Sequence, residues 1–362
     1  EGIDAHYAKG GQLEIARATY DLPMLEDLYD EYRAIGLEDH YQLLDANQTE
    51  ERIRVAGAVG SFWNKEGAAI QPARLTRGLA HAVERHGGVI YEQTEVLDYV
   101  PGPLPRLDTA RGNISARAIV LAGEGYLSRL PKLRRRIVPA TSHIVITEPL
   151  SDDLWQQIGW ERREVVGGFG TTGAYLNHTA DGRIAFGPYR GKVPFNSRIT
   201  DALDRPEDVF EHGRKSALEW FPMLRDAGVR FTHSWGGVFG VPRDHMPIMR
   251  FDRQTGVAMG YGYSGEGVAT ANLSGRVLAD LITERETELT DLPTTRHLPV
   301  NWEPEPFRWA GYKIVRRARY RADEEAERTG RHREKPSLGQ RLWSFDPPRA
   351  WRSVMRMDGG ND

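Results

Sequence analysis

Near the C-terminal third of the chain a short apolar strand at 257–259 runs into Gly260-Tyr-Gly-Tyr-Ser-Gly265 and then into a helix over 268–282. That helix carries Leu273, Val277, Leu278 and Leu281 at helical spacing. The loop has the G-x-G-x-x-G spacing in which glycines let a backbone approach a pyrophosphate at a helix N-terminus. A nucleotide-binding half needs strand, helix and strand. No strand pattern follows Ile282, so the unit fails as the first βαβ of such a domain, while its helix N-terminus can still face an anionic or electron-rich group. A second match, Gly168-Phe-Gly-Thr-Thr-Gly173, leads into a stretch with a turn signal at Asp181-Gly182 and no helix pattern, and is expected to be a hairpin loop.

Composition removes several chemistries. With 362 residues, 40% of them hydrophobic, the chain can bury a real core. Mean hydropathy is −0.55 and the longest apolar runs, such as Ile119-Val-Leu-Ala122, fall far short of the ~18 residues of a membrane span. The absence of cysteine excludes disulfides, a thiolate nucleophile, iron–sulfur clusters and any cysteine-linked cofactor, and the cytoplasm is the expected compartment. A net charge of −3 gives no basic balance for nucleic acid. No G-x-S-x-G elbow or H-E-x-x-H pair is present, and His81 and His86 have no third partner, so no metal is expected. The chain opens on Glu1 without a signal-peptide pattern, which reads as a cut from something longer.

Periodicity divides the chain into five segments. Residues 1–66 read as a strand around 10–16 and a helix near 22–35. Residues 67–138 are mixed α/β, with a helix over 72–86 and strands at 89–91, 95–97 and 118–122. The last is apolar on both faces, which predicts a buried strand, and 114–117 is expected to pair into it. Alternation over 139–231 predicts an antiparallel sheet crossed by one helix after Pro206. Residues 232–290 return to the first layer. Residues 291–362 form an Arg- and Trp-rich appendage, net +4 from 301 onward, expected to dock through Trp302, Phe307, Trp309 and Tyr312.

Tyr175, His178 and Arg183 place an aromatic ring, a titratable ring and a guanidinium on one short sheet segment, which suits a small polar substrate; a solvated surface hairpin is the other reading. His143, His178, His233 and His245 each read as solvated or satisfied when taken alone. The run Lys132-Leu-Arg-Arg-Arg136 has no interleaved aromatics and reads as a solvated connection.

The order of motifs is more specific than any one of them. Gln71-Pro72-Ala-Arg-Leu75, Gly87-Gly88 to Thr94-Glu-Val96, Ala118-Ile-Val-Leu-Ala-Gly-Glu-Gly125, Trp235-Gly-Gly237 to Asp244-His-Met-Pro247 and Gly262-Tyr-Ser-Gly-Glu-Gly267 follow one another over about 60–285. In this the chain resembles the FAD-dependent D-amino-acid oxidase-like family, which includes glycine oxidase, sarcosine oxidase and the γ-glutamylputrescine oxidoreductase branch.

The resemblance implies an α/β composite: a discontinuous Rossmann-like FAD-binding domain lacking its first βαβ unit, carrying an antiparallel substrate sheet. It implies that Val96 lies against the adenine, that Ala122 and Gly123 pass near the dinucleotide, and that Tyr263, Ser264, Gly265, Glu266, Gly267 and Val268 meet the flavin's pyrimidine edge. The implied activity is oxidation of the C–N bond of a small amine or amino-acid derivative by hydride transfer to flavin N5, with oxygen or another acceptor reoxidising the flavin. Tyr175, His178, Arg183 and His245 are the expected substrate-side residues. The family's glycine-rich pyrophosphate turn has no counterpart ahead of these motifs. Where sarcosine oxidase-like members have a carboxylate-binding lysine this chain has Val268, and the flavin-attaching cysteine position falls near Gly236, so the FAD is expected to be non-covalent. A flavin dehydrogenase of hydroxy-acid or glycerol-phosphate type, and a non-catalytic fragment, are the alternatives.

Overall fold

A computed structural model describes residues 1–168 and 173–332. The chain opens with β1 (Gln12–Ala16), α1 (Leu22–Arg33), β2 (Tyr41–Asp45), the short α2 (Ala46–Glu50) and β3 (Gly60–Asn64). In β1, Leu13 and Ile15 are buried while Gln12 and Glu14 turn to the opposite face, as strand alternation requires. Helix α3 (Pro72–Arg85) starts where Pro72 suits a first turn and the Gln71 side chain accepts from the Arg74 N–H at 2.8 Å.

Strands β4 (Val96–Val100), β5 (Arg106–Thr109) and β6 (Gly112–Ser115) form a small antiparallel sheet, and β7 (Ile119–Leu121) follows. Next come β8 (Val138–Thr147), α4 (Asp152–Ile158), β9 (Val165–Gly168), β10 (Ala174–His178) and β11 (Ile184–Pro188). Helices α5 (Glu207–Trp220) and α6 (Pro222–Asp226) lead to β12 (Phe231–Val241). The last elements are β13 (Ile248–Asp252), β14 (Val257–Tyr261), α7 (Gly267–Ile282) and α8 (Phe307–Thr329).

The large sheet has the order β12-β8-β11-β10-β9-β1-β3-β2 and is antiparallel except for the parallel pair β1 and β9. Its core face buries Leu13, Ile15, Val145, Leu176, Ile184 and Phe186 against Phe210, Ala217 and Trp220 of α5 and against Trp160 and Phe221. The second sheet, β13-β14-β7, joins β7 and β14 in parallel, and helix α7 packs against β13 and β14. The mixed α/β architecture matches the expected fold class, with a large sheet that also takes in the first three strands.

Three local expectations are corrected. Residues 89–91 form no strand; Val89 and Tyr91 are 71% and 73% exposed, because no strand lies beside them to accept a ladder. Residues 114–117 do not pair into 118–122. A two-residue connection at Ala110-Arg111, with Gly112 at φ +142° and the Thr109 hydroxyl donating to its carbonyl, folds β6 back on β5 instead. Strand β7 is buried on one face only: Ile119 and Leu121 are covered, whereas Val120 is 49% exposed, since nothing among the described residues pairs with its other edge.

The flanks of the Gly168–Gly173 motif end β9 and begin β10, which pair antiparallel; the loop expected there, residues 169–172, lies outside the described residues. The appendage docks where it begins. The Trp302 indole donates to the Val241 carbonyl at 2.9 Å, Trp309 meets Phe195 edge-on, and the Tyr312 hydroxyl donates to the Gly191 carbonyl at 3.2 Å. Phe307 does not take part and is 70% exposed. Residues 333–362 lie outside the described residues.

Candidate active site

The open face of the large sheet carries a row of four aligned residues. Glu14 on β1 is in register with Gly167 on β9, Gly167 with Tyr175 on β10, and Tyr175 with Gly187 on β11. The two glycines are what make room. A Cβ at Gly167 would overlap the Glu14 carboxylate, and one at Gly187 would overlap the Tyr175 ring, so both side chains lie flat across the sheet.

The Tyr175 hydroxyl is fully engaged: it donates to the His143 carbonyl at 2.9 Å and pairs with the Ser142 hydroxyl, leaving the ring face as its outward surface. The Tyr189 ring sits beside it, centroids 5.7 Å apart and tilted by 36°. Burial pushes the Glu14 carboxyl up to about 7, opposed by a 2.8 Å hydrogen bond from the Gln12 amide and reinforced by the charge of Glu266. Burial, together with the charges of Glu14 and Glu266, pushes the Tyr189 hydroxyl up as well. Glu266 itself stands at the N-terminal cap of α7.

The loop between β14 and α7 is held by one carboxylate. Glu124, just beyond β7 and at φ +49°, accepts from the backbone N–H of Gly262 at 2.8 Å and from those of Gly240 and Tyr263 at 3.1 Å. Burial raises its pKa and these three bonds oppose the rise. The end of β7, the end of β12 and the loop are therefore tied to one point. Ser264, at φ +54°, donates to the Gly240 carbonyl through its N–H and to the His245 carbonyl through its hydroxyl.

The structure does not bring the expected trio together. Tyr175 is on the open face, but His178, three residues on, stacks on Trp155 with centroids 3.7 Å apart, and its Nδ1 donates to the Trp160 carbonyl. Arg183 precedes β11 four residues before Gly187, about 13 Å along the strand, and its guanidinium bonds the Thr147 carbonyl, the Thr232 hydroxyl and Asp181. Strand geometry separates three residues that their spacing made neighbours. His245 adjoins the 263–268 loop at φ +58°, and burial lowers its pKa, which leaves the ring neutral at neutral pH. Ala122 and Gly123 are exposed at the end of β7, and the Val96 side chain packs on the second core.

Sequence reasoning missed Glu14, Tyr189 and Glu124. Glu14 follows plain polar/apolar alternation and reads as solvated; the charged residue between two glycines after an apolar strand was the available signal for Glu124.

Residues 1–281 match the family model for FAD-dependent oxidoreductases, and the chain is 30% identical over 297 residues to the γ-glutamylputrescine oxidoreductase of Escherichia coli, covering 80% of this chain. The chain belongs to the FAD-dependent oxidoreductase family. A glycine oxidase from Geobacillus kaustophilus is 23% identical, covering 82% of this chain and 76% of that protein. Its crystal structure superposes with a TM-score of 0.68 at 21% identity, covering 82% of this chain and 77% of that one. The L-proline dehydrogenase of P. horikoshii gives 0.66 at 20%, covering 80% and 75%; both show a shared fold. The chain spans 66% of the length of the E. coli relative and 55% of a probable oxidoreductase OrdL from Rhizobium meliloti.

The residues present fit the FAD this family uses, on the side of the ring. At Gly265, φ +108°, no atom lies within 4 Å of where a Cβ would stand, and at Gly267 the nearest is 3.9 Å away. The loop therefore presents bare backbone, beside first-turn N–H groups of α7 that have no partner within the helix. Among the described residues no cluster is suited to a metal, and no helix is long and apolar enough to cross a membrane.

Proposed function

We propose that the protein is an FAD-dependent oxidoreductase of a small amine, with the 263–268 loop against the flavin and the Glu14–Tyr175–Tyr189 face as the substrate wall. The observation that carries this reading is the bare-backbone loop at Gly265 and Gly267 with Glu266, at its helix cap, acting on Glu14 and Tyr189 across the site. Bound FAD supplies the oxidant, accepting a hydride from the carbon next to nitrogen and leaving an imine that water hydrolyses. The chain's own residues orient the amine, exclude water and hold the loop in place through Glu124. The relatives named for γ-glutamylputrescine and glycine are named for nitrogen-bearing substrates, in keeping with this chemistry.

In this proposal Val96 borders the adenine, Ala122 and Gly123 the dinucleotide, and Tyr175 and His245 the substrate. The FAD is non-covalent, with oxygen or another acceptor reoxidising it in the cytoplasm. The pyrophosphate lies along the open edge of β7. Support for that last point is the unpaired edge of β7 and the groove of about 370 Å³ beside it, lined by Val120, Ala122, Tyr263, Ser274 and Leu278. The test is a substrate panel on the FAD-loaded full-length protein with an artificial electron acceptor. Turnover of primary or secondary amines with no turnover of 2-hydroxy acids or glycerol phosphate is expected; the reverse preference overturns the reading.

A further inference from the structure

We propose that this site selects a positively charged amine, with the Glu14 carboxylate and the rings of Tyr175 and Tyr189 forming a receptor for its ammonium group; the inference deepens, and rests on, the amine-oxidising reading above.

The geometry is built for it across four strands. Gly167 and Gly187 remove the side chains that would stand between Glu14, Tyr175 and the space above the sheet. With its hydroxyl bound to His143 and Ser142, Tyr175 offers no free hydrogen-bonding group to a substrate, so what it contributes is its π face. Tyr189, 5.7 Å away, contributes a second ring. Two aromatic faces and a carboxylate attract a cation, by the ring quadrupole and by charge.

Among the described residues, no cation is given as acting on Glu14 or Tyr189. The groups acting on Glu14 and Tyr189 are Gln12, Glu266 and Tyr175 together with each other, all neutral or acidic. Arginines of the surrounding strands are engaged elsewhere: Arg17 bonds the Ala56 carbonyl and lies over Trp220, and Arg183 bonds the Thr147 carbonyl. At the head of α7 the side chain is the apolar Val268, 51% exposed.

A carboxyl that holds its proton up to about 7 can also take one from the bound ammonium. The N–H bond breaks, an O–H bond forms on Glu14, and the amine is left neutral, as hydride loss from its α-carbon requires.

The experiment uses tert-butylammonium, which has no hydrogen on the carbon next to nitrogen and so binds without being oxidised, against tert-butyl alcohol, its uncharged counterpart. Calorimetric titration of the FAD-loaded full-length protein should give tighter binding of the ammonium than of the alcohol. Glu14→Gln should weaken the ammonium about ten-fold or more and leave the alcohol unchanged, and Glu14→Asp should keep part of the affinity. Equal binding of alcohol and ammonium, or ammonium affinity in Glu14→Gln within about two-fold of wild type, overturns the inference. Should Glu14→Gln not fold, Glu14→Asp carries the test: affinity equal to wild type for both ligands overturns it. Two further outcomes separate this inference from the reading beneath it. Oxidation of n-butylamine with an unchanged KM in the variant removes Glu14 and leaves amine oxidation standing. Ammonium binding that depends on Glu14 without any oxidation of n-butylamine removes the oxidation reading and leaves the receptor.

Discussion

On the core face of the eight-stranded sheet Leu13, Val166, Leu176 and Phe186 have no exposed surface, whereas Val120 in β7 of the three-stranded sheet is 49% exposed, and Leu79 and Val83 of α3 are 49% and 48% exposed. Both regions are written with apolar residues at the correct period. They differ in what covers them. The large sheet has α5, α6 and the Trp160 region on its core face, so its strands are complete within the described residues. β7 is paired on one side, by β14; its second edge pairs with no described strand, and Val120 on its outer face borders an open groove against α7. Apolar patterning thus specifies that a face is to be covered, but the covering group decides whether it is buried. The large sheet is self-supporting here, and the loop after β14 is held mainly by Glu124.

That contrast can be broken by core truncations. Leu176→Ala, at a position with no exposure, should cost about 2–5 kcal/mol in urea melts. Leu79→Ala and Val120→Ala, for all their apolar character, should stay within about 0.5 kcal/mol. A cost above about 2 kcal/mol at Leu79 would mean that its face is covered in solution.

Between the two regions stands Glu124. Removing its carboxylate strands the N–H groups of Gly240, Gly262 and Tyr263, so Glu124→Ala should lose about 2–3 kcal/mol and release the loop. Protease cutting within 262–267 of the variant, at conditions that spare the wild type, is the expected result; equal resistance would show that the loop holds itself.

A smaller and pH-dependent effect sits on the substrate wall. The Glu14 carboxyl, ordinarily 4.5, is raised to about 7 in the fold. Folding therefore favours its protonated form: the stability is fully present below about 4.5, is lost as pH rises toward 7, and the deficit is complete above that. Glu14→Gln removes this deficit. Its melting temperature should equal that of wild type near pH 4.5 and exceed it near pH 8, by about 1–3 kcal/mol in free energy. Ammonium binding by the wild type runs the other way, weakening as pH falls below about 7, because the protonated carboxyl has no charge to offer.

Much of this was legible in the sequence. Helices α3, α5 and α7 announce themselves by periodicity, the first two also by Pro72 and Pro206 at their starts, and alternation gives β1 and the strands within 139–231, whereas β2 and β3 of the same sheet went unread. What was not legible depends on pairing across distance. Residues 89–91 have strand composition but no neighbour, and 114–117 was claimed by the closer β5 through Gly112. The site suffered in the same way. Tyr175, His178 and Arg183 are close in sequence yet divided between two faces and two ends of a sheet, while Glu14 is aligned with Tyr175, two strands away, only through the parallel pairing of β1 with β9, which no local pattern encodes.

The central claim is that the 263–268 loop holds the flavin edge by presenting bare backbone. Its most direct test is the flavin content of full-length protein carrying Gly265→Val, where φ is +108° and the new side chain would fill the open space. The account predicts a folded protein with the wild-type far-ultraviolet circular dichroism spectrum and little or no bound flavin. A yellow Gly265→Val protein with wild-type flavin content and turnover would contradict it.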